Sequence, residues 1–421
     1  MKDVTVCKIC EQATLVEFID LGNQPNGNQL LKSPHQKFTT SHLMYFFCTS
    51  CLSLQQGEAL PDFQMYNDHP YLTSHSKQYI KELEYFANAI VKICNLSPYD
   101  LVLDIGCNDG SLLGIFQSQN FKVIGIDPSE TAYNYSKKIN IPVVKSFWDE
   151  HSHVWFEEND FIPKAIVSTA SFYHMSDIKS WMKSVSSLLK KDTFFAVQFV
   201  YSMSVLENVN IDQFYHEHTF LHSITSVNKL AETFGFKIIY LEKVSSQGGS
   251  YILIMKKTES LDLIAPELVE MLDYEKLNLN FDLLNTFKKS VVRLKKEWKI
   301  ISNRFLKSNL KLIGIGASLR GISLIHFLEI NPNIIDSITE INCEKIGMFT
   351  PMSFIPIKQE FLPTRKKCYY VVLTWTQKES ILNKYKEELS NGCCLIFPYP
   401  NIDFYGDDYL NLRKKMIEVL D

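Results

Sequence analysis

The spacing of hydrophobic positions along this 421-residue chain changes period several times. Over residues 75–97, Tyr79, Leu83, Phe86, Ile90, Val91 and Cys94 recur at helical spacing, which predicts an amphipathic helix. Next comes Leu101-Val-Leu-Asp-Ile-Gly106, a short apolar run closed by glycine, which is the pattern of a buried strand feeding a turn. A helical stretch over 111–118 and a second run, Lys122-Val-Ile-Gly-Ile-Asp127, follow. Further strands are predicted at Val143, at Ala165-Ile-Val-Ser168 and over 193–199, then a hairpin-like pair over 236–242 and 249–255. Strands alternating with helices imply a parallel sheet with crossover connections.

Residues 259–308 form a charged, Lys-rich helical stretch, read as the solvated face of a linker. A new α/β unit begins at Lys311-Leu-Ile-Gly-Ile-Gly316, with strands over 334–340, at Tyr369-Tyr-Val-Val-Leu373 and at Cys394-Leu-Ile-Phe397. Residues 1–70 read as irregular, because the Gly/Asn/Pro-rich stretch 22–28 favours turns. The expected division is 1–70, 71–257, a helical linker 258–308, and 309–421.

Composition narrows the classes. Apolar residues at 46% and charged residues at 21% exclude a disordered chain. With 43 Lys+Arg against 47 Asp+Glu the net charge is -4, so no global basic field is available to grip nucleic acid. The expected partner is a small molecule. No apolar run is long enough to cross a membrane, and the first ten residues lack the apolar core of a signal peptide. A cytoplasmic location is expected. In a reducing compartment the 10 cysteines should be thiols, metal ligands or catalytic groups.

Four of them form two pairs, Cys7-Lys-Ile-Cys10 and Cys48-Thr-Ser-Cys51. Two residues between paired cysteines let both sulfurs face one ion, and four thiolates fill a tetrahedral zinc sphere. A structural zinc is expected, stapling a segment too small to build its own core; a redox dithiol is the alternative. The turn Asp104-Ile-Gly-Cys-Asn-Asp-Gly110, with Asp127 ending the next strand, comes second. Glycine after a strand lets a ligand approach the backbone, and Asp127 is placed for ribose hydroxyls. The acidic turn suits a cationic ligand such as S-adenosylmethionine (SAM) better than a pyrophosphate. It points to a methyltransferase, with nicotinamide binding or a ligand-free turn as alternatives.

In Asp212-Gln-Phe-Tyr-His-Glu-His218, a general base oriented by Glu217 fits if the segment is a loop. Chelation by His216 and His218, or a surface cluster, are the alternatives. His174 follows the strand at 165–168, at the sheet edge where ligands bind in open α/β folds. The turn Gly314-Ile-Gly-Ala-Ser-Leu-Arg-Gly321 has the wrong glycine spacing for a dinucleotide. A tight turn that packs the second unit, or that binds substrate through its helix N-terminus, fits better.

Together these motifs resemble a bacterial family of zinc-containing, SAM-dependent sugar C-methyltransferases. The family includes enzymes that place a branching methyl on C-3 of dTDP-linked 4-keto-deoxysugars. The resemblance runs through Asp20-Leu-Gly-Asn-Gln-Pro25, the second cysteine pair, the glycine turn, the segment ending at His218, Gly248-Gly-Ser250 and Gly314–Gly321. It ends at Lys345-Ile-Gly-Met-Phe-Thr-Pro351, Leu373-Thr-Trp375 and Phe397-Pro-Tyr-Pro400. It implies an α/β protein: a small zinc-binding module, a central Rossmann-like methyltransferase domain and a C-terminal Rossmann-like domain. It implies that Cys7, Cys10, Cys48 and Cys51 bind zinc, and that Asp104, Gly106, Asn108, Gly110, Asp127 and Ala170 line the SAM site. His218 would be the base, with Glu217 and Tyr215 beside it, His174 as a second histidine and Tyr71 or Tyr66 as a tyrosine contributed before the SAM domain. The base would remove the C-3 proton to give an enolate, which then takes the methyl. A sugar or small-molecule O-methyltransferase on the same scaffold is the alternative. A monomer or weak dimer is expected, with no nucleic-acid or membrane partner. The chain departs from the family at Ala170 (usually Asn), Gln198 (an acid), Gln247 (His) and Ser318-Leu-Arg320 (Pro-Ala-Lys).

Overall fold

The computed structural model describes residues 6–26, 28–67, 69, 71–260, 264–360, 368–399 and 401–406. Pro400, which closes the resemblance, and residues 407–421 of the expected C-terminal domain lie outside the described residues. The chain divides into two compact units. One contains residues up to Asp20, Met44–Val205 and Glu217–Phe281; the other contains Leu21–Leu43, Leu206–His216 and the residues from Asp282 on.

The first unit is built on a seven-stranded sheet. Its parallel part runs β6 (Val143–Val144), β5 (Lys122–Ile126), β4 (Leu101–Ile105), β7 (Ala165–Thr169), β8 (Phe194–Val200). The antiparallel pair β11 (Ser250–Lys257) and β10 (Phe236–Val244) closes it beside β8. Strands β4, β7 and β8 are buried almost throughout, which is why they read as continuous apolar runs. The helix Lys77–Ile93 starts at Ser76, whose hydroxyl accepts the Tyr79 N–H, and buries Leu83, Phe86, Ala87 and Ile90. These side chains join Val102, Leu113, Phe116 and Ile254 in one core on the sheet.

The first 70 residues are more regular than expected. They hold β1 (Leu15–Pro25), β2 (Thr40–Cys48) and β3 (Leu54–Gln56), in a sheet ordered β1-β2-β3-β9 with β9 (Phe220–Leu221). Strand β1 has only Phe18 and Pro25 buried, so its two-residue period is too faint to see in the sequence. The expected turn at 22–28 instead continues β1 as far as Pro25.

The stretch expected as a linker holds two helices, and each packs into its own unit. Pro266–Asn278 places Glu275, fully buried, against the start of the helix Ile224–Thr233. Its carboxylate accepts the N–H groups of Ile224 and Thr225 at 2.7 Å each, so it caps two donors that a helix start leaves without partners. Phe281–Lys307 carries the second unit's stripe of Leu284, Phe287, Val291, Leu294, Trp298, Ile301 and Phe305. Lys289, Lys296 and Lys299 are exposed along the same helix. The second unit's sheet is ordered β14 (Ile357–Gln359), β13 (Ile335–Glu340), β12 (Leu312–Ile315), β15 (Tyr369–Val372), β16 (Cys394–Phe397), β17 (Asp403–Tyr405). All its pairings are parallel except β16 with β17.

His222 follows β9 and is fully buried, stacked on Phe220 (5.4 Å) and Phe172 (5.0 Å). Burial pushes its imidazole down to about 3. An unfolded histidine takes a proton near pH 6.5 and this one does not, so its contribution to stability falls as the pH drops from about 6.5 toward 3. Thermal unfolding measured from pH 7 to pH 5 should show a falling midpoint, with a shallower slope in His222→Asn.

Candidate metal centre and active site

The four cysteine sulfurs converge in the first unit, all within 4.8 Å of one another. Cys7 and Cys51 are 3.6 Å apart, and so are Cys10 and Cys48. A tetrahedral zinc with Zn–S near 2.3 Å places its sulfurs about 3.8 Å apart, so the donor set fits that ion. Four thiols this close cannot all ionise without a cation. Hydrogen bonds from Cys51 and Cys7 hold the Cys48 thiol far below its usual range, while those to Cys48 and Cys7, together with burial, push Cys51 far above it. A ring of donors faces the sulfurs. Gln55 Nε2 donates to Cys7 Sγ at 3.1 Å, Thr14 Oγ1 lies 3.1 Å from Cys48 Sγ, and Ser53 Oγ lies 3.3 Å from Cys51 Sγ.

The glycine turn sits at the carboxyl edge of β4. Gly106 has φ +74°, and a Cβ there would meet Ser171 Oγ at 2.6 Å. Only glycine fits, and the turn lies hard against the loop after β7. Asp127 accepts the Asn108 and Ser129 N–H groups at 2.9 Å each. Asp104 is buried, and burial, with Asp127 nearby, pushes its carboxyl well above the usual range. Its Oδ1 has no hydrogen-bond partner among the described residues. A buried, orphaned acceptor beside a bare backbone turn fits the donor-rich, cationic end of SAM. The side chains of Asn108 and Asp109 hold the preceding segment: Asn108 accepts from Thr73 N–H (2.9 Å) and donates to Tyr71 C=O (2.9 Å), and Asp109 accepts from Ser74 N–H (2.8 Å). Gly110 has φ +80° and its Cβ would meet Ile141 at 2.9 Å. Ala170 also holds a positive φ, +52°, and its N–H donates to Gln198 C=O.

Beside this turn lies a cluster of rings. Residues 214–219 have no regular secondary structure, so the loop that base chemistry required is present. His218 is 1% exposed and stacks on His174 at 5.4 Å between ring centres. Tyr66 stacks on the His174 ring at 5.7 Å and 7°, and its hydroxyl donates to Glu217 C=O at 3.3 Å. Tyr173 packs edge-on to both histidines and exchanges hydrogen bonds with the Gln247 side chain. Burial pushes the His174 imidazole down to about 4, against the opposing pull of Glu217, and its Nε2 has no partner among the described residues. The imidazole that Glu217 reaches at hydrogen-bond distance is that of His69, with Oε1 at 3.3 Å and Oε2 at 3.4 Å. Tyr71, 46% exposed, is on the far side of His69, edge-on at 6.4 Å. Sequence reasoning had not singled out His69. It lies between Tyr66 and Tyr71, and a lone histidine there carries no local signature.

The second unit holds the start of the same motif. Asp212 is buried, and its Oδ2 accepts Arg320 Nε at 2.9 Å and Trp375 Nε1 at 2.7 Å, with Arg320 Nη2 at 2.8 Å in the same ion pair. Tyr215 and His216 line a cavity of about 20 Å³, room for one water. The turn before Arg320 packs tightly: a Cβ at Gly316 would meet Thr374 at 2.5 Å. Its Ala317 N–H donates to Glu340 and its Ala317 C=O accepts from Lys345, so the chain's own side chains engage this backbone.

Three family models match successive parts of the chain: a zinc binding domain over residues 7–66, a methyltransferase domain over 75–241 and a C-methyltransferase C-terminal domain over 245–400. C-methyltransferase NovU of Streptomyces niveus is 22% identical over 405 residues, covering 95% of this chain and 96% of the relative. Among solved structures, magnesium protoporphyrin IX methyltransferase from Synechocystis PCC 6803 with bound SAM is 16% identical (43% of this chain, 80% of that chain, TM-score 0.34). The PH0226 protein of Pyrococcus horikoshii OT3 is 19% identical (47% and 98%, TM-score 0.35). The protein is a SAM-dependent methyltransferase. More narrowly, the chain joins a zinc binding domain and a C-methyltransferase C-terminal domain to that methyltransferase domain, with SAM and a structural zinc as its cofactors. Among the described residues no helix is long and apolar enough to cross a membrane. Purified protein should carry one zinc per chain by elemental analysis, and Cys48→Ser should retain well under half of that and unfold at a lower temperature.

Proposed function

We propose that the enzyme methylates C-3 of a nucleotide-linked 4-keto-deoxysugar, a small-molecule substrate, with His218 as the base. The observation that carries this reading is the buried His218–His174 stack, at the same sheet edge as the Gly106 turn. A carbon nucleophile has to be made by removing a proton next to a carbonyl. His218 accepts the C-3 proton, because the loop that carries it is enclosed and its ring is shielded from water. His174 stays neutral at cellular pH, and its Nε2 is the group available to donate to the enolate oxygen forming at C-4. Tyr66 fixes the ring plane of His174 and the Glu217 peptide. Glu217, through His69, ties this loop to the segment before the methyltransferase core. When bound, SAM supplies the electrophilic methyl group, and Asp104, Gly106, Asn108 and Asp127 are the residues that would hold it.

The test is turnover with SAM and a panel of nucleotide-linked 4-keto sugars, followed by mass gain and solvent deuterium exchange at C-3. Substrate-dependent exchange with methylation at carbon is expected, and methylation only at a hydroxyl excludes the proposal. His218→Ala should keep its SAM affinity while turnover falls by about 10²–10⁴-fold. Undiminished turnover would remove His218 from the base role.

A further inference from the structure

We propose that the zinc module holds the base in place, with Tyr45 and Gln56 as positioning residues that grip the backbone of His218. The inference rests on the reading of His218 as the base. All the residues involved belong to the first unit.

Tyr45 and Gln56 are polar-tipped residues on neighbouring strands of the module, and both are fully buried. The Tyr45 hydroxyl donates to the His218 carbonyl at 2.6 Å. Gln56 Nε2 donates to the same oxygen at 3.0 Å and to the Tyr45 oxygen at 3.1 Å. One partner would satisfy a buried carbonyl. Here two side chains, bonded to each other, occupy both of its lone pairs and fix the plane of the 218–219 peptide. The Gln56 N–H then donates to the Thr219 carbonyl at 2.9 Å. Gln55 and Leu54 continue the contact as an antiparallel ladder with Phe220 and Leu221. Ser223 Oγ donates to the Cys51 carbonyl at 3.1 Å. Every bond in this series comes from residues 45–56, the stretch that carries Cys48 and Cys51.

The far end of the same stretch is pinned at the metal cluster. Gln55 donates to Cys7 Sγ at 3.1 Å and accepts the Lys8 N–H at 3.0 Å, so the strand that meets β9 also bridges to the first cysteine pair. Fixing the peptide plane after His218 fixes the direction in which its Cβ and imidazole project. A proton transfer tolerates little error here, since a displacement of about 1 Å can cost about 100-fold in rate. The zinc module therefore has a use beyond stapling the N-terminus: it sets the position of a side chain more than 160 residues further along the chain.

The experiment uses full-length zinc-loaded enzyme with labelled histidine. Tyr45→Phe and Gln56→Met remove the two donors while keeping volume. In each, zinc content and SAM affinity should match the parent, kcat should fall about 10- to 100-fold with KM little changed, and the His218 imidazole resonances, assigned through His218→Ala, should move. The double variant should lose little more than the worse single one. Tyr85→Phe, which removes an exposed hydroxyl bonded to Glu242, should change none of these. Unmoved His218 resonances in both variants would overturn the proposal, whatever happens to turnover, because a merely structural loss would not act through that ring. Moved resonances with normal kcat would also overturn it. Failure of the base assignment shows separately, as turnover retained by His218→Ala.

Discussion

Four sulfurs held within 4.8 Å of one another are the constraint that the first unit depends on. In the N-terminal segment the strand β1 buries only Phe18 and Pro25. A segment this small gains little from burial, so the metal supplies the missing order. Once the two cysteine pairs are joined, β2 and β3 have a fixed register, with Tyr45 opposite Gln56 and Phe47 opposite Leu54. Strand β3 can then pair with β9, which follows the loop carrying His218. The zinc is therefore structural in its coordination and still bears on the chemistry, through backbone hydrogen bonds.

At the sheet edge the dominant effect is desolvation. Asp104, Asp127, Glu217 and His218 are all buried in one region, as is Asp109. Burying like charges is costly unless some are neutral or paired, and the structure uses both routes. Burial raises the Asp104 and Asp127 carboxyls and lowers the His174 imidazole, and Glu217 lies beside His69. The two imidazoles stack at 5.4 Å, and a neutral His174 adds no second positive charge beside the His218 ring.

Much of the fold was legible because its strands are buried on both faces. Leu101–Ile105, Ala165–Thr169 and Cys394–Phe397 read as unbroken apolar runs, and the sequence places them within a residue of their observed ends. The cysteine pairs were legible because metal geometry imposes a local spacing. Strand β1 was not, because its burial barely alternates. His69, Tyr45 and Gln56 were not, for a different reason. Each acts through a partner 148 to 173 residues away, and an isolated polar residue in a strand or loop leaves no periodic trace. The role of the turn at Gly314–Gly321 also became clear only in three dimensions, where Glu340 and Lys345 occupy its backbone.

Arg320 shows why a departure from the family pattern can be informative. The resemblance leads one to expect a lysine at this position, and a lysine would offer a point charge. The guanidinium instead gives Asp212 Oδ2 a hydrogen bond from Nε with Nη2 close by in the ion pair, and it lies 5.2 Å over the Trp375 ring, whose own N–H donates to the same oxygen. Asp212 is almost fully buried, and a buried carboxylate with a single point-charge partner would keep much of its desolvation cost. Arginine and Trp375 together meet that cost with directional bonds. Asp212 opens the seven-residue motif that ends at His218, so each unit anchors its own end of the motif: the second through Asp212, the first through the His218 carbonyl. Within the first unit, a peptide gripped by two donors at the His218 carbonyl has few conformations to lose when a substrate binds, and that is the entropic condition under which an imidazole acts as an efficient base.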